Sequence, residues 1–227
     1  MSLLAMSLQP KMSMQIKLVG SSLTRMQNGL CLITFFQKIC VLFGKPDIDL
    51  FANRLNHKLP RYCSWHPDPG AEHVDAFTLE WGQSRFSSVY IFCPFSLVPR
   101  ITQKILNTVE KVVATMVVPY WPAQAWYPLL MQHLVAPPAL IQTKHNTLFL
   151  PHKPQAVHPL VPKLQLLAIQ VSKSSSMINN FLSQWSGSCW TPAASPLINS
   201  IRFTGKSGRN IWSNGVQIPI ISPWDSV

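Results

Sequence analysis

Charge is scarce in this sequence, and acid scarcer still. Charged residues fill 12% of the 227 positions, about half the share usual in soluble domains. So thin a charged surface points to a piece of something larger rather than a free-standing soluble protein. Acids number 8 against 19 Lys and Arg. Most of them crowd one stretch, as Asp47, Asp49, Asp68, Glu72, Asp75 and Glu80, leaving only Glu110 and Asp225 elsewhere. Cysteine is sparse and unpaired: Cys31, Cys40, Cys63, Cys93 and Cys189 form no close pair, which excludes a disulfide framework and a C-x-x-C zinc site. No G-x-S-x-G, P-loop, H-E-x-x-H or G-x-G-x-x-G occurs, so the enzyme classes built on those motifs lose their main signature. The start lacks a basic segment followed by a sustained apolar core, as a secretory signal would have. An intracellular protein, nuclear or cytoplasmic and not secreted, is expected. A long uninterrupted hydrophobic run is missing too. The uncharged stretch Val112–Met131 is broken by Pro119, Pro122 and Pro128, and interior prolines break helices, so no membrane span is expected.

What is present is apolar mass and positive charge. Hydrophobic residues make up 47% of the chain, enough for a real core, and the net charge is +11. An excess of that size draws polyanions, nucleic acid first and acidic membrane second.

The pattern divides the chain into a disordered Met- and Ser-rich lead over 1–30, a folded domain over 31–170, and a flexible basic linker over 171–227. Phe35, Ile39, Leu42 and Phe43 recur at helical spacing, with Gly44 as a stop and Pro46 beyond it. Ile48–Ala52 reads as a short strand, and Arg61–Trp65 as a second strand-like piece. Residues 66–88 read as loop and short helix. Val89–Phe92 is a buried strand, followed by a helix from Leu97 carrying Ile101, Ile105 and Val109 on one face. Val112–Pro119 is β-branched and apolar on both faces, as an interior parallel strand should be. A short helix around Trp126 follows, with later strands at Thr147–Leu150 and Leu164–Ile169. This alternation predicts an α/β fold with an open, mostly parallel sheet and disordered basic tails.

In such a sheet, sites form at the carboxyl ends of strands. Two ends stand out, Asp49–Asn53 and Phe92–Ser96. An Asp in a buried strand is costly unless paired, so Asp49 is expected at a strand end or facing a site. Phe92, Cys93, Pro94 and Phe95 admit two readings: a turn presenting carbonyls and an aromatic face to a flipped base, or a tight strand-to-helix turn packed by Phe95. Cys63, His66, His73 and Asp75 are donor types close in sequence, but without a paired half they are expected to hold no metal.

Four blocks carry a resemblance: G-K-P-D-I-D-L-F-A-N-R-L-N-H-K-L-P-R-Y-C-S-W, D-P-G-A-E-H-V-D-A-F-T-L-E-W, F-C-P-F-S-L-V and P-Y-W-P-A-Q-A-W-Y-P-L-L. Together, over about residues 34–220, the chain resembles the region between ribonuclease H and the recombinase in the Pol polyprotein of DIRS-type, tyrosine-recombinase retrotransposons. The same order is similar to phage-type DNA adenine methyltransferases, which implies a degenerate methyltransferase-like, Rossmann-like fold. In that family a D-P-P-Y-type motif accepts hydrogen bonds from the adenine amino group and stacks an aromatic on the base. Here Phe92, Cys93, Pro94 and Phe95 occupy it, with Phe92 in place of the polar acceptor. The resemblance implies that Asp49 and Asn53 could line an S-adenosylmethionine pocket. Polymerase and ribonuclease H chemistry need two or three carboxylates holding paired metal ions, and none precedes Asp47.

The expectation is therefore a decayed, truncated, non-catalytic remnant of a Pol protein, without cofactor, that binds nucleic acid weakly and non-specifically. Its binding residues would be Lys153, Lys163, Lys173, Arg202, Lys206 and Arg209. The alternative is a surviving S-adenosylmethionine-dependent DNA adenine methyltransferase. A third reading is a scaffold docking other Pol domains through Trp121, Trp126 and Tyr127.

Overall fold

The structure, a computed structural model, describes residues 35–82, 86–108, 112–142, 149–150, 153–157, 164–185 and 209–222. Its first element is a helix over 35–43 (α1). The predicted stop is where it was expected: Gly44 takes φ +83° and its N–H donates to the Cys40 carbonyl at 2.9 Å. A left-handed residue closes a helix end in this way, and glycine does so without a Cβ penalty.

The strands that follow are β1 (Ile48–Asp49), β2 (Cys63–Ser64), β3 (His73–Val74), β4 (Ser88–Ile91), β5 (Val113–Pro119), β6 (Ala139–Gln142), β7 (Phe149–Leu150), β8 (Lys153–Val157) and β9 (Gln165–Ser172). Helix α2 (Val98–Asn107) lies between β4 and β5, and α3 (Trp126–Met131) between β5 and β6. The main sheet runs β1-β4-β5-β9-β6, with β5 central as its sequence predicted. The β1·β4 and β4·β5 ladders are parallel, while β9 runs antiparallel to both β5 and β6. Four of the five strands thus share one direction, and β9 is the reversed member between two of them. Single bridges extend both edges, Tyr62 onto Asp49 and Ile221 onto Ala139.

Alternation along the strands separates two faces. Ile48, Val89, Ile91, Ala114, Met116, Val118, Leu167, Ile169 and Val171 share a core with Val98, Ile101 and Ile105 of α2 and with Leu130 and Met131 of α3. On the other face Tyr90, Val117, Leu166 and Ala168 pack with Ile39 of α1. Helices therefore cover both faces of the sheet, as a mostly parallel sheet requires.

Two sequence readings are corrected. Residues 66–82 hold no helix; they form turns around β3, which pairs in parallel with β2. Residues 171–227 are not a flexible linker throughout. Helix α4 (Ser175–Ser183) buries Phe181 and Leu182. A hairpin of β10 (Asn210–Ser213) and β11 (Val216–Pro219) buries Ile211 and Ile218, and both, with Ile220, belong to the main core. The hairpin turn is Asn214-Gly215, both at positive φ (48° and 81°), a pairing suited to a two-residue β-turn. Val109 and the lead over 1–30 lie outside the described residues.

Candidate functional site

Asp49, at the end of β1, is 3% exposed. Its Oδ2 accepts from the Lys58 backbone N–H at 3.0 Å, and the Phe51 N–H also donates to its carboxylate. Burial nevertheless dominates and pushes its pKa up to about 6. The Lys58 and His57 charges pull it down, but by less than burial raises it, and burial lowers the pKa of Lys58 in turn. In the sheet register Asp49 faces Tyr90, Tyr90 faces Thr115, and Thr115 faces Gln170. These four polar side chains make a row across the sheet on the side covered by α1. Tyr90 meets Phe36 of α1 edge to face at 5.0 Å, and Gln170 donates to the Phe43 carbonyl at 2.8 Å. Burial, with Asp49 adding to it, raises the Tyr90 pKa well above its ordinary range.

Asn53 serves its own loop. Its Oδ1 accepts from the Leu55 N–H at 2.9 Å, its N–H donates to Asn56 Oδ1 at 2.7 Å, and its carbonyl takes the Asn56 and His57 N–H groups. His57 stacks on Tyr62 with ring centres 4.6 Å apart, its Nδ1 2.9 Å from the Leu59 carbonyl. Asp47, just before β1, accepts at Oδ2 from the Ser87 and Ser88 N–H groups at 3.0 and 2.9 Å, fixing the start of β4. Acids that the sequence groups as potential chemistry thus secure loops and strand ends.

Phe92–Phe95 follow β4 directly, on the sheet edge where β1 also ends, since the two strands are parallel neighbours. The four residues make a tight strand-to-helix connection. The Leu97 N–H donates to the Pro94 carbonyl at 2.9 Å, and a single 3₁₀ turn (Phe95–Leu97) leads into α2. Phe92 is half-buried against the α1-side core. Cys93 is buried, and desolvation pushes its thiol up to about 12, too high for a thiolate nucleophile. Phe95 packs edge-on against Trp121, which follows β5, at 5.6 Å and 79°. None of these four side chains carries an oxygen or nitrogen acceptor for an amino group, and the Cys93 sulfur is only a weak one.

Cys63 and His73 are partners in the β2·β3 ladder, His66 is exposed, and Asp75 turns back to the Phe77 N–H at 2.9 Å. Among the described residues no group of three His, Cys, Asp or Glu side chains could hold a metal ion. The scaffold reading fails at two of its three residues: Trp126 and Tyr127 are 5% and 7% exposed and belong to the core, because α3 turns them onto the sheet.

Of the expected nucleic-acid residues, Lys173 is exposed on the turn before α4. Arg209 is no free tail cation. Its guanidinium bonds Gln165 Oε1 and lies over the Tyr120 ring, 5.4 Å from its centre. Lys153 opens β8, and Lys163, Arg202 and Lys206 lie outside the described residues. The aromatic seats of two α2 cations leave almost no trace in the sequence. Arg100 lies 3.8 Å from the Phe77 ring centre, and Lys104 donates to the Phe77 carbonyl at 3.0 Å beside Trp81. Their i, i+4 spacing on α2 was the only available signal.

Among the described residues no helix is long and apolar enough to cross a membrane. No protein-family model matches the chain, and no curated protein does either.

Proposed function

We propose that the chain is a non-catalytic, methyltransferase-like remnant of a DIRS-type Pol polyprotein that binds nucleic acid through charge, without reading bases. The observation that carries the non-catalytic part is Phe92. It stands where the resemblance would need an acceptor for the adenine amino group, and it is a hydrocarbon ring half-buried against the sheet. The neighbouring candidates support the same reading: the Asp49 carboxylate and the Asn53 side-chain oxygen already accept from N–H groups of their own loops. The net charge of +11 supplies the affinity for phosphate.

One observation favours the alternative, an S-adenosylmethionine-dependent DNA adenine methyltransferase. The Phe92–Phe95 turn and the Asp49–Asn53 loop follow adjacent parallel strands at one sheet edge, where open α/β folds place their ligands.

The test is a salt titration of DNA binding beside calorimetric titration of S-adenosylmethionine. Binding with dissociation constants of about 10⁻⁴–10⁻⁶ M at physiological salt, falling steeply as salt rises, is expected. Replacing Lys173, Arg202 and Lys206 by Gln should flatten the salt slope, by about 0.9 for each phosphate that is no longer neutralised. Saturable S-adenosylmethionine binding, or salt-insensitive DNA binding abolished by Phe95→Ala, would overturn the remnant reading in favour of the enzyme.

A further inference from the structure

The β10–β11 hairpin presents one face to solvent and buries the other. Inward, Ile211, Ser213 and Ile218 are 4%, 0% and 0% exposed. On the other face Asn210, Trp212 and Gln217 are exposed, with Trp212 directly opposite Gln217, while Pro219, opposite Asn210, is buried. Trp212 is 66% exposed. An exposed apolar side chain by itself means little, and Val41 and Leu55 are exposed on a helix and a turn. Trp212 differs in its setting. Its strand is held by the core beneath it, and the turn is pinned where Asn214 Nδ2 donates to the Gln132 carbonyl at 3.0 Å. The indole thus stands largely exposed on a strand whose backbone is held in place, with the Gln217 amide directly across the ladder. Asn210 and Trp212, two positions apart on one strand face, are separated by about 7 Å.

We propose that this face is a stacking platform for one base of a single-stranded nucleic acid, with Trp212 under the base and Gln217 beside its edge. The inference rests on the nucleic-acid reading above and names the form of nucleic acid that the chain takes. Base–aromatic stacking tolerates any sequence because every base has a π-face, and it adds to a charge-driven grip on phosphates. The net charge of +11 favours phosphate along the chain as a whole, whereas a duplex keeps its bases stacked on one another and offers none to the indole.

The experiment measures fluorescence anisotropy of labelled oligothymidylate, of a matching strand of abasic sugar-phosphate, and of a duplex. Wild type, Trp212→Ala and Trp212→Phe are compared, and thermal melts check that the exposed substitutions leave the fold intact. Wild type should prefer the base-bearing strand. Trp212→Ala should weaken binding to it by about 5- to 150-fold, the range for one stacked base. Its affinity for the abasic strand and the duplex should be unchanged, and Trp212→Phe should keep most of the preference. Equal binding by wild type and Trp212→Ala, or equal losses in the Ala and Phe variants, would overturn the platform and leave the charge-driven reading standing. Failure of the wild type to bind any of the three would overturn both.

Discussion

Gln170 and Phe43 lie 127 positions apart, and one hydrogen bond joins them: the Gln170 amide donates to the Phe43 carbonyl at 2.8 Å. The acceptor is one of the carbonyls that the last turn of α1 leaves without a helical partner. The donor comes from β9, the one strand of the main sheet that runs against the others. A side chain of the reversed strand therefore caps the first helix.

Replacing Gln170 by Leu should leave that carbonyl unpaired and lower stability by about 1–3 kcal/mol. Chemical denaturation of the two proteins measures it. Hydrogen exchange should speed up over residues 35–44 first, and uniform acceleration across the sheet would contradict a local cap.

Asp49 predicts a pH dependence of unusual sign for a carboxylate. Its pKa rises from 3.8 to about 6 on folding, because burial disfavours the charged form. The folded state therefore holds a proton that the unfolded state releases between those values. Stability from this group is full below about pH 4, falls as pH rises through about 6, and is flat above, a loss on the order of 3 kcal/mol. Urea denaturation across that window should show the fall in wild type and its absence in Asp49→Asn. Parallel profiles for the two proteins would refute the assignment.

Asp47→Ala should remove the acceptor for the Ser87 and Ser88 N–H groups that open β4. A loss of about 1–2 kcal/mol is expected from these partly solvated bonds, and Asp47→Asn should recover part of it. Thermal unfolding of both variants provides the comparison.

A chain ending at Gly208 lacks the hairpin. Ile211, Ile218 and Ile220 are each at most 4% exposed, and at about 1.5–3 kcal/mol per buried side chain their removal costs about 5–9 kcal/mol. That is much of a domain's usual stability of about 5–15 kcal/mol. The truncated protein should lose its cooperative melt in circular dichroism. An unchanged melting temperature would restore the flexible-linker reading.

Burial pushes the thiols of Cys63 and Cys93 both up to about 12. Iodoacetamide near pH 8 should leave them unmodified in the native protein and alkylate them in denaturant, as peptide mass spectrometry would record. Rapid native labelling of Cys93 would mean that the turn after β4 is open.

The elements whose physics is local can be read from neighbouring residues. The apolar spacing of Phe35 and Ile39 with Gly44 beyond them specified α1 and its end, because a helix and its left-handed cap involve residues only a few positions apart. The all-apolar run around Val117 specified a central strand, because only a strand covered on both faces tolerates it. The turn after β4 was legible too, since the Pro94 carbonyl that closes it is taken by the Leu97 N–H only three positions on. Tertiary structure alone decided the rest. The polar row Asp49, Tyr90, Thr115 and Gln170 comes from four strands, and no spacing in the chain records a register between them. The reversal of β9 was hidden because a strand's direction leaves no mark on its own periodicity. The hairpin at 210–219 reads as linker because its amphipathic pattern is only four residues long on each side and follows a polar, glycine-containing stretch. Ile211 and Ile218 become core residues only once the sheet exists to receive them, since burial belongs to both surfaces that meet.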